Sequence, residues 1–163
     1  MRKILFALAL GLSSASGLAV AQEFKMGYVS LERILVDSVP AKKARADLEV
    51  RFKAREKALD QKAASIRANQ QGYEKESPKL SEAQRKEREA DLTNSMEAFN
   101  VERSEFEEEL AQAQSQMLKS LLAKADATIK VLAEQEGFDF VVQEAVYIKP
   151  AYDLTARVLE KMR

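Results

Sequence analysis

Two sevenfold apolar stripes, mirrored about a single proline, constrain this chain more than any other feature. In the first, Phe52, Leu59, Ile66 and Tyr73 recur every seven residues, preceded by Leu48. In the second, Leu92, Met96, Phe99, Phe106, Leu110, Ala113 and Met117 follow alternating steps of four and three, interrupted by Arg103. Such spacing puts each set on one helical face and makes that face a coiled-coil seam. Ile66 and Leu92, Leu59 and Phe99, Phe52 and Phe106, Leu48 and Leu110, and Ala41 and Met117 have residue numbers that each total 158. A constant total is what an antiparallel hairpin requires, because each step up one helix is a step down the other. Its centre, residue 79, falls inside "NQQGYEKESPKLSE" (residues 69–82), beside Pro78.

The punctuation agrees. From Pro40 to Ser77 the chain holds no breaker except Gly72. Ser81 with Gln84 three positions on is a capping-box pattern that restarts a helix, and Gly137 supplies a C-terminal stop after Glu136. Residues 40–76 carry ten basic and six acidic side chains, net +4, and residues 81–112 carry four and ten, net −6. The mirrored register sets Arg51 near Glu107 and Lys53 near Glu105. Exposed ion pairs contribute only ~0.2–1 kcal/mol each, whereas burying a large apolar side chain contributes ~1.5–3 kcal/mol. Charge therefore selects orientation and apolar contact supplies the energy. The seam of the first helix is half occupied, because Arg55, Lys62 and Asn69 fill its alternate positions. Its arm would reach ~55 Å, far beyond what a compact domain of this mass needs.

The two chain ends read as a separate body. Met26 to Ser30 suggests a strand leading into a short helix, and "FDFVVQE" and "AVYIK" suggest two more strands. Asp153 is placed to cap a last helix with Leu154, Val158 and Met162 on one face. Leu121, Leu122, Ala125, Ile129 and Leu132 widen the apolar stripe where the second long helix outruns its partner. Three short strands leave open edges, which copies from other subunits would close. The fold class expected is α+β, mostly helical: a long antiparallel coiled-coil hairpin over 40–117, its tip near 77–81. It projects from a small β-containing oligomerisation body made of 22–39 and 118–163.

Residues 1–21 combine a basic start, the apolar run "ILFALALGL" and a small-x-small end, the pattern of a cleaved secretory leader. The run is shorter than the ~20 residues that span a bilayer. Cleavage leaves 24 basic and 26 acidic side chains, which argues against nucleic acid as a partner. The chain has no Cys and no His, which excludes disulfides, thiol or imidazole catalysis and ordinary zinc sites. No glycine loop of the phosphate-cradling kind occurs. The composition points away from an enzyme, and no metal or cofactor is expected.

These residues together resemble the Skp (OmpH-like) periplasmic chaperone family over the whole mature chain. The resemblance rests on the leader, on "GYVSLERIL", on the charged hairpin and on "EGFDFVVQEAVYIKPAYDLTARVLEKM", whose D-L-T-x-x-V-L ending is its most specific part. It implies a homotrimer with a β-barrel-like body and three helical tentacles. Between them a cavity would hold unfolded outer-membrane β-barrel proteins until insertion, without ATP. Two readings stand for Ile66, Tyr73, Leu92, Met96 and Phe99: packing in the seam, or contact with a client. Gly72 reads as a hinge below the tip. The family's proposed lipopolysaccharide contact would fall on Lys79, Arg85, Lys86 and Arg88, against the reading of a solvated face. Family members are strongly basic and this mature chain is not, which argues against global attraction to acidic clients. A structural coiled-coil tether of the cell envelope is the alternative function, and it would call for a fully occupied seam.

Overall fold

Two helices set the shape. The computed structural model describes residues 24–163, so the leader expected at 1–21 lies outside the described residues. Helix α2 runs from Val39 to Glu76 and α3 from Glu82 to Glu136, 38 and 55 residues. At 1.5 Å per residue these are ~57 Å and ~83 Å long. They lie antiparallel, joined by a tight 3-10 turn at Ser77–Lys79 that contains Pro78.

Local chemistry explains each boundary. The Ser38 side chain accepts from the Ala41 N–H, opening α2, while the Ser38 N–H donates to the Ile34 carbonyl and closes α1 (Leu31–Asp37). One buried serine thus ends one helix and begins the next. The Arg45 guanidinium ties the elbow by donating to the Leu35 carbonyl at 2.6 Å. At the tip Ser81 and Gln84 form the full reciprocal capping box expected from the sequence. Gly137 ends α3 in the left-handed conformation, φ 68°, which a residue without Cβ adopts at little cost.

The body is built from both chain ends. Strand β1 (Met26–Tyr28) pairs in parallel with β2 (Phe140–Val142), with Gly27 opposite Val141. Parallel neighbours need a long crossover, and here the crossover is the entire hairpin. On the other side of β1 the Leu154 N–H donates to the Tyr28 carbonyl at 2.8 Å, bringing in α4 (Thr155–Lys161). Val29, Ile34, Ala125, Leu132, Leu154, Val158 and Met162 close into one buried cluster. The Thr155 hydroxyl accepts from the Ser30 N–H at 2.9 Å, so the one buried threonine is satisfied. The cap expected at Asp153 falls one residue away: Leu154 is the N-cap of α4, and Asp153 before it accepts from the Thr155 N–H at 2.8 Å.

One expectation fails. "AVYIK", residues 145–149, is not a strand in the single chain. A strand needs an edge to pair with, and the outer side of β1 is already taken by Asp153 and Leu154. Val146 and Tyr147 instead stand exposed.

Candidate functional site

The hairpin seam is best covered at Phe52 and Leu59 and thins from there toward the tip. Phe52 and Phe106 meet edge to face, ring centroids 5.8 Å apart, and Phe52 and Leu59 are buried. Further out, Ile66, Tyr73, Leu92 and Phe99 are only half-buried, and Met96 is 48 % exposed. Residues 82–91 of α3 are exposed throughout.

Polar contacts replace the missing core. Arg55 reaches Glu109 at 2.7 Å and Glu105 at 3.8 Å, and Lys62 reaches Glu102 at 2.5 Å. These two cations occupy positions that interrupt the first stripe, so at Arg55 and Lys62 the interruption is a cross-hairpin link. Nearer the tip the Tyr73 hydroxyl donates to Glu89, and Arg88 pairs with Glu76 at 3.3 Å. The hydrogen bond to Glu89 holds the Tyr73 phenol above its ordinary pKa of 10.0.

The pairs expected at Arg51 with Glu107 and Lys53 with Glu105 do not form. Lys53 pairs with Glu49 of its own helix at 3.6 Å, and the Arg51 guanidinium sits over the Phe52 ring. Side-chain direction is the reason. Every Cα–Cβ bond leans toward its own helix N-terminus, rootward in α2 and tipward in α3. Long polar side chains that meet across the hairpin are therefore offset, with the α2 partner farther from the root. The observed cross-hairpin polar pairs total 160 to 164 rather than 158, the direction that this lean requires.

The residues proposed for client contact separate into two places. Ile66, Met96 and Phe99 line a groove of about 440 Å³ with Arg67 and Arg103 at its margin. Tyr73 and Leu92 line a smaller polar pocket of about 120 Å³ with Asn69 and Arg88. Helix α2 runs unbroken through Gly72, where an added Cβ would meet nothing within 4 Å. Of the tip cations, Arg88 is paired across the hairpin and Lys86 with Glu82 at 3.4 Å. Lys79 lies in the turn and Arg85 is exposed on α3.

Sequence reasoning missed the hairpin root. There the Leu48 and Met117 side chains border two grooves, of about 550 and 470 Å³. The larger is floored by Phe52, Phe106 and Leu110, with Leu118 at its lip. The smaller lies against Pro40, Ala44 and Ala113, whose short side chains leave the space. The available signal was Leu118, an apolar residue one step outside the stripe. Among the described residues no cluster of three or more acidic side chains is placed to hold a metal ion, and no helix is long and apolar enough to cross a membrane.

A long, thinly packed hairpin on a body sewn from both chain ends invites comparison with known proteins. The family model described as outer membrane protein (OmpH-like) matches residues 25–162. The chain belongs to the OmpH-like family. A Skp-like protein of Pseudomonas aeruginosa is 29 % identical over 142 residues, 86 % of this chain and 84 % of its own length. The chaperone protein Skp of Pectobacterium atrosepticum is 25 % identical over the full length of both. The OmpH-like fold also appears in a crystal structure from Caulobacter crescentus, with TM-score 0.74 over 85 % of this chain and 83 % of that one. At 13 % identity that likeness concerns the fold alone.

Proposed function

We propose that this protein is an ATP-independent holdase of the periplasm. It would bind unfolded outer-membrane proteins between helical hairpins that project from a homotrimeric body. The observation that carries the reading is the hairpin: some tens of ångströms of paired helix whose outer half has little core of its own, in a chain of the OmpH-like family. Clients of this kind have strands of alternating polarity and must be shielded, then released without nucleotide. Many weak contacts on a compliant arm suit that task, and Ile66, Tyr73, Leu92, Met96 and Phe99 are the outer contacts. A tether would call for a fully packed seam, whereas polar pairs bridge this one at Arg55 and Lys62.

Assembly is supported by the body. Phe140 on β2 is 52 % exposed, and Val146 and Tyr147 project nearby in sequence from a segment with strand composition and no partner. Copies pairing through this edge would give "AVYIK" the ladder it lacks in the single chain. Lipopolysaccharide contact at the tip is the finest part of the proposal. Lys79 and Arg85 would lead it, with Lys86 and Arg88 freed from their acidic partners on binding.

The deciding experiment dilutes a urea-unfolded outer-membrane β-barrel protein with and without a modest excess of the mature chain. Suppressed turbidity and a soluble complex are expected without ATP. Unchanged turbidity with no complex would overturn the holdase reading.

A further inference from the structure

Of the grooves beside the seam, the larger one at the root combines the most apolar floor with the least selective border. Leu48, Phe52, Phe106, Leu110 and Met117 form the floor. The Phe52–Phe106 pair, fixed edge to face, gives it an aromatic wall. Along the α2 side stand Arg45, Glu49, Lys53 and Glu56, spaced four, four and three residues apart and alternating in sign. The α3 side carries Gln114 and Leu118, one turn apart and uncharged. Leu118 is 45 % exposed at the edge. A volume of about 550 Å³ is large enough to bury several side chains.

We infer that this groove is a client anchor that takes alternate apolar side chains of an extended, unfolded polypeptide. The inference rests on the holdase reading and locates its strongest contact at the root, where sequence pattern had suggested only the outer arm. The border decides the occupant. An extended segment presents side chains to opposite sides every second residue. One row enters the apolar floor, and the other row lies against the lip or faces water. A lip of two cations and two acids is neutral overall and accepts polar residues of either sign, as the varied strands of unfolded barrel proteins require. An anionic lipid headgroup would call for cations without the intervening acids.

The chain's lack of cysteine makes the test clean. Single-cysteine variants Leu118→Cys and Val101→Cys carry a photo-crosslinker, and each is mixed with a urea-unfolded eight-stranded outer-membrane barrel protein. Val101 is an exposed apolar control on the same helix that lines none of the grooves described above. Crosslinking to client is expected at 118 in several-fold excess over 101. Client affinity should fall about tenfold in Leu118→Glu, the effect of losing one anchor residue, with oligomer mass and helicity unchanged. If the parent chain retains client, and both positions crosslink equally while Leu118→Glu binds as before, the anchor is refuted and the holdase reading stands. If the parent chain retains no client at all, the holdase reading fails and the anchor with it. Crosslinks between copies at 118, or a changed oligomer mass in Leu118→Glu, would make the groove a subunit interface and overturn the inference.

Discussion

Gly27 owes its identity to Leu154. A Cβ at this position would stand 2.5 Å from the Leu154 Cδ1 and 3.1 Å from its Cγ. The glycine lets strand β1 lie directly on the leucine that anchors α4. Gly27→Ala should push Leu154 off its site and cost ~1–3 kcal/mol, read as a lowered midpoint in urea unfolding. Tyr73 offers a second test at this scale. Its neutral hydroxyl donates to Glu89, so the folded-state pKa is raised above 10.0. The contact's contribution is therefore complete below pH 10 and is lost as pH rises through the higher folded-state value. Tyrosinate absorbance should show one phenol titrating above 10.0, and Glu89→Ala should return that step to the ordinary range.

At the scale of the elements, the hairpin was legible because its information is periodic and local. The two stripes, Pro78, the Ser81 box and Gly137 each follow from nearest-neighbour geometry, and all stand where the pattern set them. The ion pairs were not legible from a mirror of residue numbers, because the tilt of the Cα–Cβ bond and the reach of long side chains shift polar partners, from residue 103 to Glu109 for Arg55 and from residue 96 to Glu102 for Lys62. "AVYIK" failed for another reason: strand composition states a preference, and the partner edge lies elsewhere. Residues 69–82 around Pro78 hold the end of α2, the 3-10 turn and the start of α3. Lys62→Leu should fill one gap in the first stripe and raise hairpin stability by about 1 kcal/mol, less than full leucine burial would give because the site is partly open. Concentrated salt screens exposed pairs. It should loosen the parent hairpin more than this variant, a difference that amide exchange at residues 60–100 would read. Gly72→Ala meets no neighbour and should slow exchange near the tip, gaining up to ~1 kcal/mol of helix stability. Under the proposed function it should also narrow the range of clients held; unchanged tip exchange would remove Gly72 as a hinge.

For the whole molecule, the division of labour follows from where apolar surface is spent. The body buries a compact cluster from both ends of the chain, while the arm keeps only part of its seam covered. Phe140→Asp places a charge on the half-exposed face of β2 without touching that cluster. Sedimentation should find the parent chain trimeric at micromolar concentration and this variant monomeric with its helices intact. A parent chain that sediments as a monomer would remove the trimer.

The parallel pairing of β1 with β2 has a consequence for the order of events in folding. Met26 and Phe140 sit opposite each other although 114 positions separate them, whereas the hairpin closes through its own short turn. Closing so long a loop is entropically expensive unless the intervening chain is already folded into a structure whose two ends are near each other. The zipped hairpin is that structure. In a chain that emerges from its N-terminus, the arm can form before the last residues arrive, and the body closes only when they do. The arm is therefore the scaffold on which its own base is assembled.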